Sequence, residues 1–110
     1  MRLNLTLKKQ WYDMIRSGDK LEEYREIKPY WITRLVFSGF YMHPMNGCVE
    51  VKDGMWHPVK DFDFVMFRNG YAKDAPYMLR EIESIEVGEG RTEWGAEEGK
   101  KYFVIKLKQA

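Results

Sequence analysis

Gly18-Asp19-Lys20-Leu21-Glu22-Glu23-Tyr24-Arg25 is the stretch on which the reading of this chain turns. It follows a segment in which Leu7, Trp11 and Ile15 recur at i, i+4 and i+8, with Met14 beside Ile15. That spacing predicts a helix of about three turns over Lys8 to Ser17, packing through Trp11 and Ile15. Gly18 stands where a helix end wants a left-handed residue. From Lys20 to Ile27 the period changes to two, so Leu21, Glu23, Arg25 and Ile27 share one strand face. Glu22, Tyr24 and Glu26 take the other, and both faces carry charge. Lys20 lies where the strand is only beginning, so a turn or bulge there brings its amine beside Glu23. Lysine, glutamate and arginine are thereby gathered just after a helix stop.

Outward from this stretch, Leu3, Leu5 and Leu7 alternate with Asn4 and Thr6 as a half-buried strand. Downstream, Lys28-Pro29 opens a short helix through Trp31, Ile32, Leu35 and Val36, with proline at its first position. Residues 37–60 are the least regular part. Within them Cys48-Val49-Glu50-Val51-Lys52 reads as a strand closed by the turn Asp53-Gly54. Phe62 to Phe67 is a strand of aromatic and β-branched residues ending at Asn69-Gly70. Met78 to Val87 is a long strand in which Ile82 and Ile85 break register, so a bulge is expected near Glu83-Ser84. Gly88 to Gly99 is a polar loop, and Tyr102 to Lys108 closes the chain as a strand. The expected fold is α+β, one domain over residues 1–110. It is a small mixed β-barrel of five to six strands, with two N-terminal helices packed on it.

The chain carries 18 basic and 17 acidic side chains, a formal charge of +1. This excludes a histone-like polycation, and a polyanionic partner must be read by a local patch. The lone Cys48 excludes an internal disulfide framework and a multi-cysteine zinc site. Lys8 and Lys9 interrupt the N-terminal apolar beat, and apolar runs stay far short of the roughly 20 residues of a membrane helix. A soluble cytoplasmic protein without membrane attachment is the expectation. Aromatic residues make up 15% of the chain, more than a small core needs, which suggests that some line a groove.

Residues 18–25 fit the pattern G-x-K-x-x-E-x-R, and with their strand–helix–glycine context they resemble the ASCH domain family of the PUA-like barrels. The likeness extends more loosely to Phe67-Arg68-Asn69-Gly70-Tyr71, to Trp94-Gly95-Ala96 and to Tyr102 through Leu107. The resemblance implies an RNA-binding or RNA-associated module. The residues supply a compatible kit: two cations for phosphate or base carbonyls, one acceptor for an amino group, and aromatic planes for stacking. The expected partner is RNA or an RNA-derived nucleotide or nucleoside. It would lie in a cleft lined by Lys20, Glu23 and Arg25, with Trp94 as a stacking lid and Tyr71 facing the ligand. Tyr24 points away from that face. The bland alternative is a solvated strand face with weak ion pairs of roughly 0–1 kcal/mol.

A second reading is a small hydrolase using Lys20 and Glu23, since some members of the family are amidohydrolases on an acylated cytidine and others have been proposed as ribonucleases. In the amidohydrolase branch the motif lysine is an active-site residue, with a threonine where Glu23 stands and a downstream glutamate. Lys20 matches and Glu23 departs. The downstream glutamate is not assigned among Glu81, Glu83, Glu89, Glu93, Glu97 and Glu98. A desolvated lysine can serve as base or nucleophile, whereas a close carboxylate favours the charged amine and opposes that role. A third reading is a protein-interaction domain using exposed aromatics. His43 and His57 lack the paired spacing of zinc ligands and read as ordinary loop histidines. No metal or cofactor is expected, and Gly88, Gly90 and Gly95 form no phosphate loop.

Overall fold

The computed structural model describes residues 1–109. Its element order is β1 (Arg2–Leu7), α1 (Lys9–Ser17), β2 (Glu22–Glu26), α2 (Pro29–Leu35), β3 (Cys48–Lys52), β4 (Met55–Pro58), β5 (Phe64–Asn69), β6 (Tyr77–Glu89) and β7 (Lys101–Leu107). A single 3-10 turn, Thr92–Trp94, precedes β7. Five strands make one mixed sheet in the order β1-β5-β6-β7-β2, and β3 with β4 forms a separate two-stranded ribbon. The class is therefore α+β with two helices, as the alternation of periods predicts.

The chain divides into two compact units. The first comprises Met1–Glu23, Phe62–Ser84 and the chain from Ile105 onward. Here β1 runs parallel to β5, with Leu3 opposite Val65 and Leu5 opposite Phe67. β5 pairs antiparallel with β6, Val65 facing Arg80 and Phe67 facing Met78. Leu3, Leu5, Leu7, Val65 and Phe67 are all buried, the alternate residues of β1 and β5 meeting one core. Tyr12 and Ile15 of α1 complete it. The Arg80 guanidinium donates to the Ile15 carbonyl at 3.0 Å and to the Lys108 carbonyl at 3.1 Å, tying helix and chain end to β6.

The second unit comprises Tyr24–Asp61 and Ile85–Val104. It holds α2, the β3–β4 ribbon and a cluster of Tyr24, Ala96, Tyr102 and Val104. Leu35 and Val36 are buried at the end of α2, and the ribbon pairs Val49 with His57 and Glu50 with Trp56.

Three expectations need correction. Trp11 is only half-buried, and the buried residues of α1 are Tyr12 and Ile15; the stripe holds at Leu7 and Ile15 and fails at Trp11, whose place in the core Tyr12 takes. The motif strand begins at Glu22 rather than Lys20. Residues 37–60 contain β4, whose Met55-Trp56-His57-Pro58 lacks an alternating pattern because all four are partly buried. In β6 Ile82 and Ile85 are both buried, three residues apart.

Ile15 is fully buried, so Ile15→Ala should cost about 2–5 kcal/mol in urea unfolding. Trp11→Ala should cost clearly less. Equal losses at the two positions would show that the indole is core after all.

Candidate functional site

The position of Lys20 follows from how α1 ends. Gly18 adopts φ 90°, and its N–H donates to the Ile15 carbonyl at 3.1 Å. The Ser17 hydroxyl and the Lys20 N–H both donate to the Met14 carbonyl, each at 3.0 Å. The chain is thereby folded back against the last turn of its own helix. Leu107 N–H then donates to the Leu21 carbonyl at 3.0 Å, aligning the exit toward β2. The turn brings Lys20 Nζ to 2.6 Å from Glu23 Oε1, the contact that the odd i, i+3 spacing demanded.

Both partners are buried, Lys20 at 1% exposure and Glu23 at 5%. The Trp11 ring centroid lies 4.5 Å from the ammonium, a cation–π contact on the half-buried indole. Among the described residues, no buried side-chain nitrogen or oxygen lacks a hydrogen-bond partner. The first unit thus holds a satisfied, dehydrated ion pair under an indole. Such a pair repays its desolvation only with short contacts and full hydrogen bonding. It is a poor source of stability, and an apolar pair of similar volume would serve the fold as well.

In the second unit the rest of β2 has different partners. The half-buried Arg25 donates from Nη1 to the Tyr24 carbonyl at 2.9 Å, and its guanidinium carbon lies 5.3 Å from the Trp31 ring centroid. Tyr24 is buried, its ring 5.7 Å from that of Tyr102. Its hydroxyl accepts from the Arg91 N–H at 3.0 Å. Gly90 is required there: a Cβ would stand 2.7 Å from both the Tyr24 ring and the Ala96 methyl. At the end of β2, Glu26 accepts from Lys100 at 3.3 Å. That hydrogen bond, ahead of the nearby charge, holds the Lys100 amine above its ordinary pKa.

The structure joins Lys20 with Glu23 and gives the other sequence candidates separate surroundings. Trp94 is half-buried, packed on the Tyr24 cluster, and the Arg91 guanidinium lies 4.6 Å from its ring centroid. Tyr71 is 90% exposed in the loop after β5. His57 Nδ1 is 2.9 Å from the Phe37 carbonyl oxygen, and the His43 ring lies 6.1 Å from that of Tyr41. Among the described residues no three His, Cys, Asp or Glu side chains gather as a metal site.

Sequence reasoning missed Trp11 and Trp31 as partners of the two cations. Helical spacing marks Trp11 as apolar and cannot report that a lysine nine positions on returns beneath it. Trp31 lies six residues after Arg25 across Pro29, where no single period applies. Comparison with known proteins gives no match to a family model, a curated protein or a solved structure.

Removing one charge leaves the other buried and alone. Glu23→Ala should therefore destabilise by about 3–5 kcal/mol, read by urea unfolding. Glu23→Gln, whose amide oxygen still accepts from Lys20, should cost less. A Glu23→Ala loss below about 0.5 kcal/mol would show that the pair is reached by water.

Proposed function

We propose that this chain is an ASCH-type module of the PUA-like barrels that recognises RNA, or a nucleotide or nucleoside derived from it, with Lys20 and Glu23 of the first unit and Arg25 of the second each as recognition residues in their own surroundings. The observation that carries the reading is the buried Lys20–Glu23 pair, an arrangement that stability alone does not favour. A ligand that reaches the pair past the half-buried Trp11 must replace the charge-assisted hydrogen bond that it breaks, which discriminates sharply between ligands. Arg25 contributes a planar cation on the Trp31 face, suited to a phosphate or to the edge of a base. Trp94 offers a ring plane for stacking, and Tyr71 an exposed one.

Binding is favoured over hydrolysis by the surroundings of Lys20. A carboxylate at 2.6 Å and an indole face at 4.5 Å both engage the ammonium, so the amine is held by the protein rather than aimed at a substrate. The hydrolytic reading, in which Lys20 and Glu23 act on an N4-acylated cytidine or on RNA, needs the amine aimed at the substrate.

The test is titration with short single-stranded RNA and with free nucleosides. Arg25→Ala should weaken affinity by about 1.5–3 kcal/mol without changing thermal stability. Absence of millimolar binding at low salt by both ligand sets would end the RNA reading. Release of cytosine-ring product from N4-acylated cytidine by wild-type protein, lost in Lys20→Arg, would establish the hydrolytic one.

A further inference from the structure

From Ile27 to Val49 the chain contains no aspartate or glutamate, although it carries 17 acidic residues elsewhere. The same stretch places an unusual set of apolar side chains in solvent. Phe37, Phe40, Tyr41, Met42 and Met45 are all exposed, Phe40 at 49% and Met42 at 66%. These residues lie outside regular helix and strand, yet their backbone is pinned. Phe37 N–H donates to the Pro58 carbonyl at 2.9 Å, while Tyr41 and Trp56 exchange both backbone hydrogen bonds at 2.8–2.9 Å. The rings are therefore carried on the β3–β4 ribbon and presented outward from it.

Cationic groups are set among these rings. Lys60 Nζ lies 5.8 Å from the Phe37 ring centroid and donates to the Thr33 carbonyl at the end of α2. Arg34 sits 5.6 Å from the ring centroid of the exposed Tyr30. His57 lies beside Phe40 and His43 beside Tyr41. The stretch from Ile27 to Val49 interleaves exposed aromatic planes with cations and has no carboxylate of its own, with Glu50 lying across the ribbon from Trp56; such a stretch matches a flexible polyanion that offers π faces. An apolar protein partner would not need the cations, and a duplex would need a broader basic face than Lys28, Arg34 and Lys60 supply.

We propose that the Phe37–Met45 segment, with β4 and Lys60, is a stacking surface for single-stranded RNA, lying wholly within the second unit. The surface itself stands on observations independent of the motif strand. The choice of RNA over DNA rests on the function proposed above. On this reading the natural ligand is a strand of several nucleotides rather than a free nucleoside.

The experiment uses the full chain and a labelled single-stranded RNA of roughly ten nucleotides, a length within the usual site sizes of such binders. Phe40→Leu is the main variant, because it keeps the apolar bulk and removes the ring plane. It should weaken binding by at least about 5-fold, the value of losing one weak stack, at unchanged thermal stability. Arg34→Gln should reduce the steepness of the salt dependence by about one unit. Affinity for a free nucleoside should be unaffected by Phe40→Leu, whereas Arg25→Ala should reduce it; this separates the surface from the motif. RNA binding that Phe40→Leu weakens and Arg25→Ala leaves unchanged, with no nucleoside binding at all, would support the surface and remove the motif reading. No RNA binding, or equal binding by Phe40→Leu and wild type, would overturn the proposal. Tighter binding of DNA of the same sequence would overturn the choice of RNA.

Discussion

Two opposite charges 2.6 Å apart and shielded from water set the terms for the first unit. An ammonium can be buried only where a carboxylate is already waiting, so the turn after α1 must deliver Lys20 to Glu23 within three residues. Gly18 makes that possible by taking a positive φ, and the Met14 carbonyl holds the returning chain. Trp11 then covers the pair with the face of its ring. Each local feature of this segment is legible as a requirement of the one interaction.

The second unit is organised by rings instead of charges. Tyr24 and Tyr102 lie together beside Ala96 and Val104, and the Tyr24 hydroxyl is used up by the Arg91 backbone. Arginines then lie on the outlying indoles, Arg25 on Trp31 and Arg91 on Trp94. The aromatic excess of the chain is thus divided between a buried cluster and rings that remain partly or fully in solvent.

The sequence made some of this plain and hid the rest for identifiable reasons. β1 was readable because one buried face forces alternation, and β5 from its run of aromatic and β-branched residues. α1 was readable in extent and at Ile15, while Tyr12, adjacent to Trp11 on the helix, takes the buried place expected of the indole. β4 was invisible because its four residues are evenly half-buried and show no period. At the candidate site, the meeting of Lys20 and Glu23 could be inferred from a glycine stop followed by a strand. The dehydration of that pair could not, since it is a property of the folded surroundings, in which Trp11 returns over the ammonium. Tyr24 was read as facing away from Glu23, and it does occupy a different environment, but only the structure reveals that Gly90 exists to admit it.

The central claim is that the Lys20–Glu23 pair is kept for a ligand and not for the fold. Its most direct test is the apolar double replacement Lys20→Met with Glu23→Leu, assayed by urea unfolding and by titration with single-stranded RNA and nucleosides. The account predicts a folded protein of equal or greater stability that has lost the binding seen in wild type. A double variant that binds as wild type does, or one that loses several kcal/mol of stability, would show the pair to be structural and contradict the claim.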